Sequence, residues 1–161
     1  SSDVCSSDLT EQAKLPRERC CSIPTGINPS AVHLEDDAAE KFRREYGIAD
    51  DEIVVGTVCV LRIWKGVADL LEAAKILESY DKVRFLIVGS GVSEEHYKAL
   101  WNELGLGDKV IFTGHLKNPF PAIAAMDVFS LLSTANEGVS QASLQAAYLN
   151  KAMVKIGRAH V

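Results

Sequence analysis

VRFLIVGSGVSEEHYKALWNELGLGDKVIFTG, residues 83–114, carries the decision about the fold. It opens on VRFLIV, apolar but for Arg84, which reads as a buried strand with both faces covered. The run stops at a glycine turn, Gly89 and Gly91. SEEHYKALWNELGL (93–106) then brings a capping-type serine, acids in the first turn and Gly105 near its close, which together mark a helix. KVIFTG (109–114) returns to strand character. A strand, a helix and a second strand in succession predict two parallel strands joined by a crossover.

The same alternation extends in both directions. DEIVVGTVCVL (51–61) reads as an earlier buried strand, and KGVADLLEAAKILESY (65–80) has apolar residues at helical spacing. Downstream come a short helix in PFPAIAAM (119–126) and a fourth strand in DVFSLLS (127–133). A helix in SQASLQAAYLN (140–150) follows, and a fifth strand opens in KAMVK (151–155). The expected class is α/β, a Rossmann-like parallel sheet with helices on both faces. Upstream, DDAAEKFRREYG (36–47) reads as an amphipathic helix, preceded by the loop-rich LPRERCCSIPTGINPSAV (15–32).

Bulk properties narrow the function. The chain has 161 residues, 47% of them hydrophobic, enough for one domain with a real core. A net charge of −5 argues against a nucleic-acid binder, which carries a basic face. No apolar run reaches membrane-spanning length. The four cysteines (Cys5, Cys20, Cys21, Cys59) show no CxxC spacing, and Cys59 lies in an apolar run as a packing residue would. A reducing, cytoplasmic location is the expectation.

The two ends are related in an unusual way. A coding sequence for IGRAHV (156–161) followed by a stop, read on the opposite strand, encodes Ser2 to Asp8 of SSDVCSSDL (1–9). This inverted repeat resembles a short-read sequencing adaptor. Residues 1–9 and 156–161 are therefore expected to be adaptor translation and are set aside from fold reasoning. What remains is expected to be an internal slice of a longer protein. It comprises an interdomain segment at 10–35 and a truncated Rossmann-like domain at 36–155.

In an open parallel sheet, ligands bind beyond the carboxyl ends of the strands, at helix N-termini. After the first strand, LRIWKG places Arg62 and Lys65 at the mouth of the next helix. Arginine forks onto phosphate oxygens and lysine adds a mobile charge, so the pair suits a diphosphate; it also reads as a solvated charge pair on a turn. Gly89 and Gly91 follow the second strand without the third glycine of a dinucleotide fingerprint. Gly114, His115 and Lys117 follow the third; His115 reads as a loop hydrogen-bonding residue or a base. After the fourth, NEGVSQASLQAA (136–147) sets Glu137 and Gly138 before Ser140, a good N-cap. The amides of Gly138, Val139 and Ser140 there make an anion site. Glu137 and Gln145 are acceptors for sugar hydroxyls, or else a dipole-matched acid and a surface amide.

Taken together, these segments resemble the C-terminal, donor-binding domain of GT-B glycosyltransferases, specifically family 4 (glycosyl transferases group 1). The resemblance runs over nearly all of residues 15–155: IPTGIN (23–28) is similar to the family's IPNGID, and RIWKG (62–66) to its Arg…Lys-Gly segment. FLIVGSG (85–91), KVIFTGHL (109–116) and AAMDVFSLLS (124–133) follow in the family's order. NEGVSQASLQAA is similar to its E-x7-E motif. The resemblance implies that Arg62 and Lys65 grip the diphosphate of a nucleotide-sugar and neutralise the leaving group as the glycosidic bond breaks. It also implies that Glu137 bonds hydroxyls of the transferred sugar, that Gly138, Val139 and Ser140 lie near the phosphates or sugar, and that Gln145 holds the ribose. By the same resemblance, Gly89, Gly114 and His115 belong to the donor site.

The implied activity is a retaining glycosyl transfer with no cofactor and no metal, the cations replacing it. The implied acceptor is a glycan or lipid-linked saccharide held by an N-terminal domain, with peripheral membrane association of the parent among the expectations. The isolated chain is expected to be inactive. Two features depart from the family pattern: Arg62 and Lys65 stand closer together than usual, and Gln145 replaces the second glutamate with an uncharged acceptor. The alternatives are a non-catalytic nucleotide-binding module of the same fold and an oxidoreductase. The missing glycine fingerprint after the first strand disfavours the oxidoreductase.

Overall fold

The computed structural model describes residue 14 and residues 16–19, 25–135 and 138–156. β1 (Ile53–Val58), β2 (Val83–Val88), β3 (Val110–Gly114), β4 (Val128–Leu131) and β5 (Ala152–Lys155) form one sheet in the order β3-β2-β1-β4-β5. Every pairing is parallel. Between the strands run α2 (Val67–Ile76), α3 (Glu94–Glu103), α4 (Phe120–Ala125) and α5 (Gln141–Tyr148), while α1 (Ala38–Glu45) precedes β1.

Side-chain alternation along β2 explains the apolar run of its last four residues. Leu86 and Val88 point into a core shared with Phe42 of α1, Ile123 of α4 and Ala146 of α5. Phe85 and Ile87 point the other way, into a core shared with Leu70 and Leu71 of α2 and Tyr97 of α3. Both faces are covered from Phe85 to Val88, so those four positions are apolar, while Arg84 near the start of the strand pairs with Glu52 at 3.2 Å. α2 buries Val67, Leu70, Leu71 and Ala74, a stripe at i, i+3, i+4 and i+7 that fixes which side meets the sheet. β5 differs: it pairs with β4 at the edge, and all four of its residues are exposed.

Two local expectations meet different outcomes. Ser140 caps α5 through its side chain, whose Oγ accepts the Ser143 amide at 3.3 Å. Ser93 sits at the head of α3 but makes no side-chain cap bond; it is buried, and its amide donates to Leu61 O at 3.1 Å. The loop packing has taken precedence over the cap.

Below the sheet, at the amino ends of the strands, Arg43 ties α1 to three other segments. Its Nε and Nη2 donate to Ala125 O at 3.1 and 3.0 Å, and Nη1 donates to the carbonyls of Ala49 and Glu52 at 3.1 and 3.0 Å. Nη2 also meets Asp127 Oδ2 at 2.8 Å, and that oxygen accepts the Val54 amide at 2.7 Å. Replacing Arg43 with alanine strands these acceptors in a largely covered site, and should cost about 2 kcal/mol of stability in urea denaturation. Arg43→Lys should recover only part, because an ammonium cannot reach this many carbonyls in fork geometry.

Candidate functional site

The order of the sheet reverses at β1. The crossover through α2 leads to one side and β4 lies on the other, so the loops leaving β1 and β4 lie side by side at the reversal of strand order, the place where doubly wound sheets take ligands. The β1 loop is held on its β2 side first. Cys59 N donates to Val88 O, Leu61 N to Ser90 O and Ser93 N to Leu61 O, at 3.0, 3.0 and 3.1 Å. Gly89 fits here because a Cβ would lie 1.9 Å from Cys59 O, and its φ of +131° disfavours a side chain anyway. Its amide donates to Gly114 O at 2.8 Å, bringing the ends of β2 and β3 together.

Arg62 then projects, exposed, ahead of a single 3-10 turn, Ile63–Lys65. The turn is anchored from below: Tyr97 Oη on α3 donates to Arg62 O at 2.8 Å, and Lys65 N donates to the same carbonyl at 2.9 Å. Burial raises the Tyr97 phenol above its usual pKa, with Cys59 and Asp69 adding to the effect, so it remains a proton donor at neutral pH. The Arg62 guanidinium lies 5.2 Å from the centre of the Trp64 ring. On the β4 side, Thr134 N donates to Trp64 O at 2.9 Å. Gly66 is left-handed at φ +70°, and a Cβ there would fall 2.2 Å from Leu132 O. The two loops therefore touch backbone to backbone.

Past Thr134 the chain reaches Gly138 and Val139, both exposed, and Ser140 at the head of α5. Gln145 follows, half-buried, on α5. The turn carrying Arg62 and Lys65 is thus joined to Leu132 and Thr134 beyond β4, while Gly89 and Gly114 meet each other at the neighbouring strand ends. His115 is exposed just beyond β3. Glu137, like Ile23 and Pro24 of the upstream motif, lies outside the described residues.

Four residues of this site were not singled out from sequence: Tyr97, Trp64, Ser133 and Thr134. Ser133 is buried at the end of β4, and its Oγ has no hydrogen-bond partner among the described residues. The one available signal was Trp64, an aromatic standing between two cations in a loop.

The family described as glycosyl transferases group 1 matches residues 38–156. The chain belongs to that family. An uncharacterised glycosyltransferase of Methanocaldococcus jannaschii is 35% identical over 102 residues, 62% of this chain and 26% of that protein. The 2-deoxystreptamine glucosyltransferase of Streptomyces kanamyceticus is 27% identical over 128 residues, 77% of this chain and 33% of its own length. The chain thus spans about a quarter to a third of these curated relatives. Among solved structures, HepE of Anabaena in complex with UDP-glucose superposes with a TM-score of 0.77 at 25% identity, covering 96% of this chain and 43% of HepE. The sheet is therefore the Rossmann-like half of a GT-B glycosyltransferase fold. Among the described residues, no helix is long and apolar enough to cross a membrane.

Proposed function

We propose that this chain is the donor-binding part of a longer family 4 glycosyltransferase, which holds a nucleotide-diphosphate sugar in the crevice between the β1 and β4 loops. The observation carrying this reading is the contact of those loops at the reversal of strand order, with Arg62 and Lys65 on one and the head of α5 on the other. HepE, which shares the fold, is described in complex with UDP-glucose. In this reading Arg62 and Lys65 bind the diphosphate and stabilise the negative charge that grows on it as the bond to the sugar breaks. Amides at Gly138, Val139 and Ser140 assist from the helix N-terminus. Glu137 accepts hydroxyls of the sugar, and Gln145 accepts those of the ribose. Gly89, Gly114 and His115 line the neighbouring strand ends on the nucleoside side. Transfer retains anomeric configuration without a metal, in the cytoplasm, onto a glycan or lipid-linked saccharide bound elsewhere in the protein.

The first test is calorimetric titration of the full-length protein with UDP, GDP, ADP and NAD. Saturable binding of at least one diphosphate, with none of NAD, is expected. Binding of NAD alone would turn the reading toward an oxidoreductase.

Gly138 offers a sharper check. A Cβ there would meet nothing within 4 Å among the described residues, so their packing does not require glycine. Gly138→Ala should therefore leave stability within about 0.5 kcal/mol of the parent. If phosphate or sugar approaches this backbone, affinity for the donor should fall about tenfold, as for one lost hydrogen bond to a charged group. Unchanged affinity would remove Gly138 from the site.

A further inference from the structure

Trp64 is not accounted for by core packing. It is half-buried, it belongs to neither apolar cluster, and its neighbour Ile63 is 72% exposed. Its main chain is fixed from both sides. Thr134 N donates to Trp64 O at 2.9 Å from the β4 loop, and the carbonyl of Arg62 two residues earlier accepts from both Tyr97 Oη and Lys65 N. A ring on so constrained a turn is a rigid platform. The guanidinium of Arg62 stands 5.2 Å from its centre.

We propose that Trp64 is a positioning residue that holds the Arg62 guanidinium at the β1–β4 rim, ready for a diphosphate. The inference rests on the donor-binding reading above and adds to it the group that orders one of its cations. An exposed arginine samples many rotamers, and binding an anion must select among them. A π face attracts the guanidinium without using its N–H donors on a competing carboxylate, so those donors remain for phosphate oxygens. The Thr134 bond ties the platform to the loop that leaves β4, so the cation is set relative to both strand ends.

The experiment uses the full-length protein with four variants: Trp64→Leu, Trp64→Phe, Arg62→Ala and the Trp64→Leu/Arg62→Ala double. The probes are whichever of UDP, GDP or ADP binds best and its parent nucleoside, with thermal midpoints recorded alongside. Trp64→Leu is expected to weaken the diphosphate about three- to tenfold and leave the nucleoside unchanged. Trp64→Phe, which keeps a π face, should lose less. In the Arg62→Ala background, Trp64→Leu should cost nothing further, because the ring acts through the arginine. Should Trp64→Leu fail to fold, the Phe variant and its Arg62→Ala double carry the comparison.

A Trp64→Leu protein that binds the diphosphate as tightly as its parent, or more tightly, overturns the proposal; tighter binding would mean that the ring parks the arginine away from the ligand. Fully additive losses overturn it too, since the ring would then touch the ligand itself. If the unaltered protein binds no nucleoside diphosphate, the donor reading fails first and takes this inference with it.

Discussion

Alanine at Arg62 should lower kcat/KM for sugar transfer by about a hundredfold in the full-length protein, and alanine at Lys65 should do the same to a similar degree. In the metal-free reading proposed above, the negative charge that grows on the departing diphosphate as the bond to the sugar breaks must be met by side chains. Each cation is worth more in the transition state than in the bound donor, so the loss should appear in kcat as well as in KM. Arg62→Lys keeps the charge but loses the fork, and should fall between the two. The fold should be indifferent to Arg62→Ala, because the Arg62 side chain is exposed and the anchoring bonds of the turn go to its carbonyl. Equal thermal midpoints with collapsed turnover are therefore the expected pair of results. If turnover changes less than threefold with every nucleotide-sugar tried, these cations are not catalytic.

The sequence exposes some layers of this structure and hides others, for physical reasons. β2 could be read because Phe85 and Ile87 face one core while Leu86 and Val88 face the other, so its last four residues are apolar and only Arg84, near its start, interrupts the strand. α2 could be read because Val67, Leu70, Leu71 and Ala74 keep helical spacing. The end of β1 was harder. The run to Leu61 looks continuous, yet the strand closes at Val58, and the amides of Cys59 and Leu61 go on bonding to Val88 at the end of β2 and to Ser90 just beyond it. Ser93 shows the same limit: its amide bonds to a loop carbonyl from another segment, and its side chain makes no cap bond, neither of which a local capping rule gives.

For the site, strand–helix alternation sufficed to place Arg62, Lys65, Gly89, Gly114 and Ser140 at carboxyl ends of strands. It did not say which ends adjoin. The bonds from Thr134 to Trp64 span 70 residues, and Gly66 meets Leu132 across a similar separation, so no local pattern encodes either contact. The strand order that makes β1 and β4 neighbours is a property of long-range pairing. Tyr97 illustrates the point. Within its helix it reads as one more core aromatic, and only in the assembled fold does its hydroxyl reach the carbonyl of Arg62.

Gly66 is where that long-range contact is most vulnerable, and Gly66→Ala should cost about 3 kcal/mol or more. The left-handed φ of +70° alone costs a residue with a side chain about 1 kcal/mol or more. The larger cost is steric, because a Cβ would stand 2.2 Å from Leu132 O and 2.7 Å from its carbonyl carbon, and a backbone cannot swing aside as a side-chain tip can. Gly56 provides the contrast: the three atoms nearest its Cβ all belong to the Met126 side chain, 2.5 Å to Cε, 2.7 Å to Sδ and 2.9 Å to Cγ, and not to a backbone. In a domain of this size the loss at Gly66 should lower the thermal midpoint by about 6 to 12 °C. Relief is possible only by parting the β1 and β4 loops, which would also pull Trp64 O away from Thr134 N. Affinity for a nucleoside diphosphate should therefore fall together with stability, whereas Gly138→Ala should separate the two. A Gly66→Ala protein that melts with its parent and binds as well would mean that the loops can part without cost, and the crevice beside Arg62 would owe nothing to their contact.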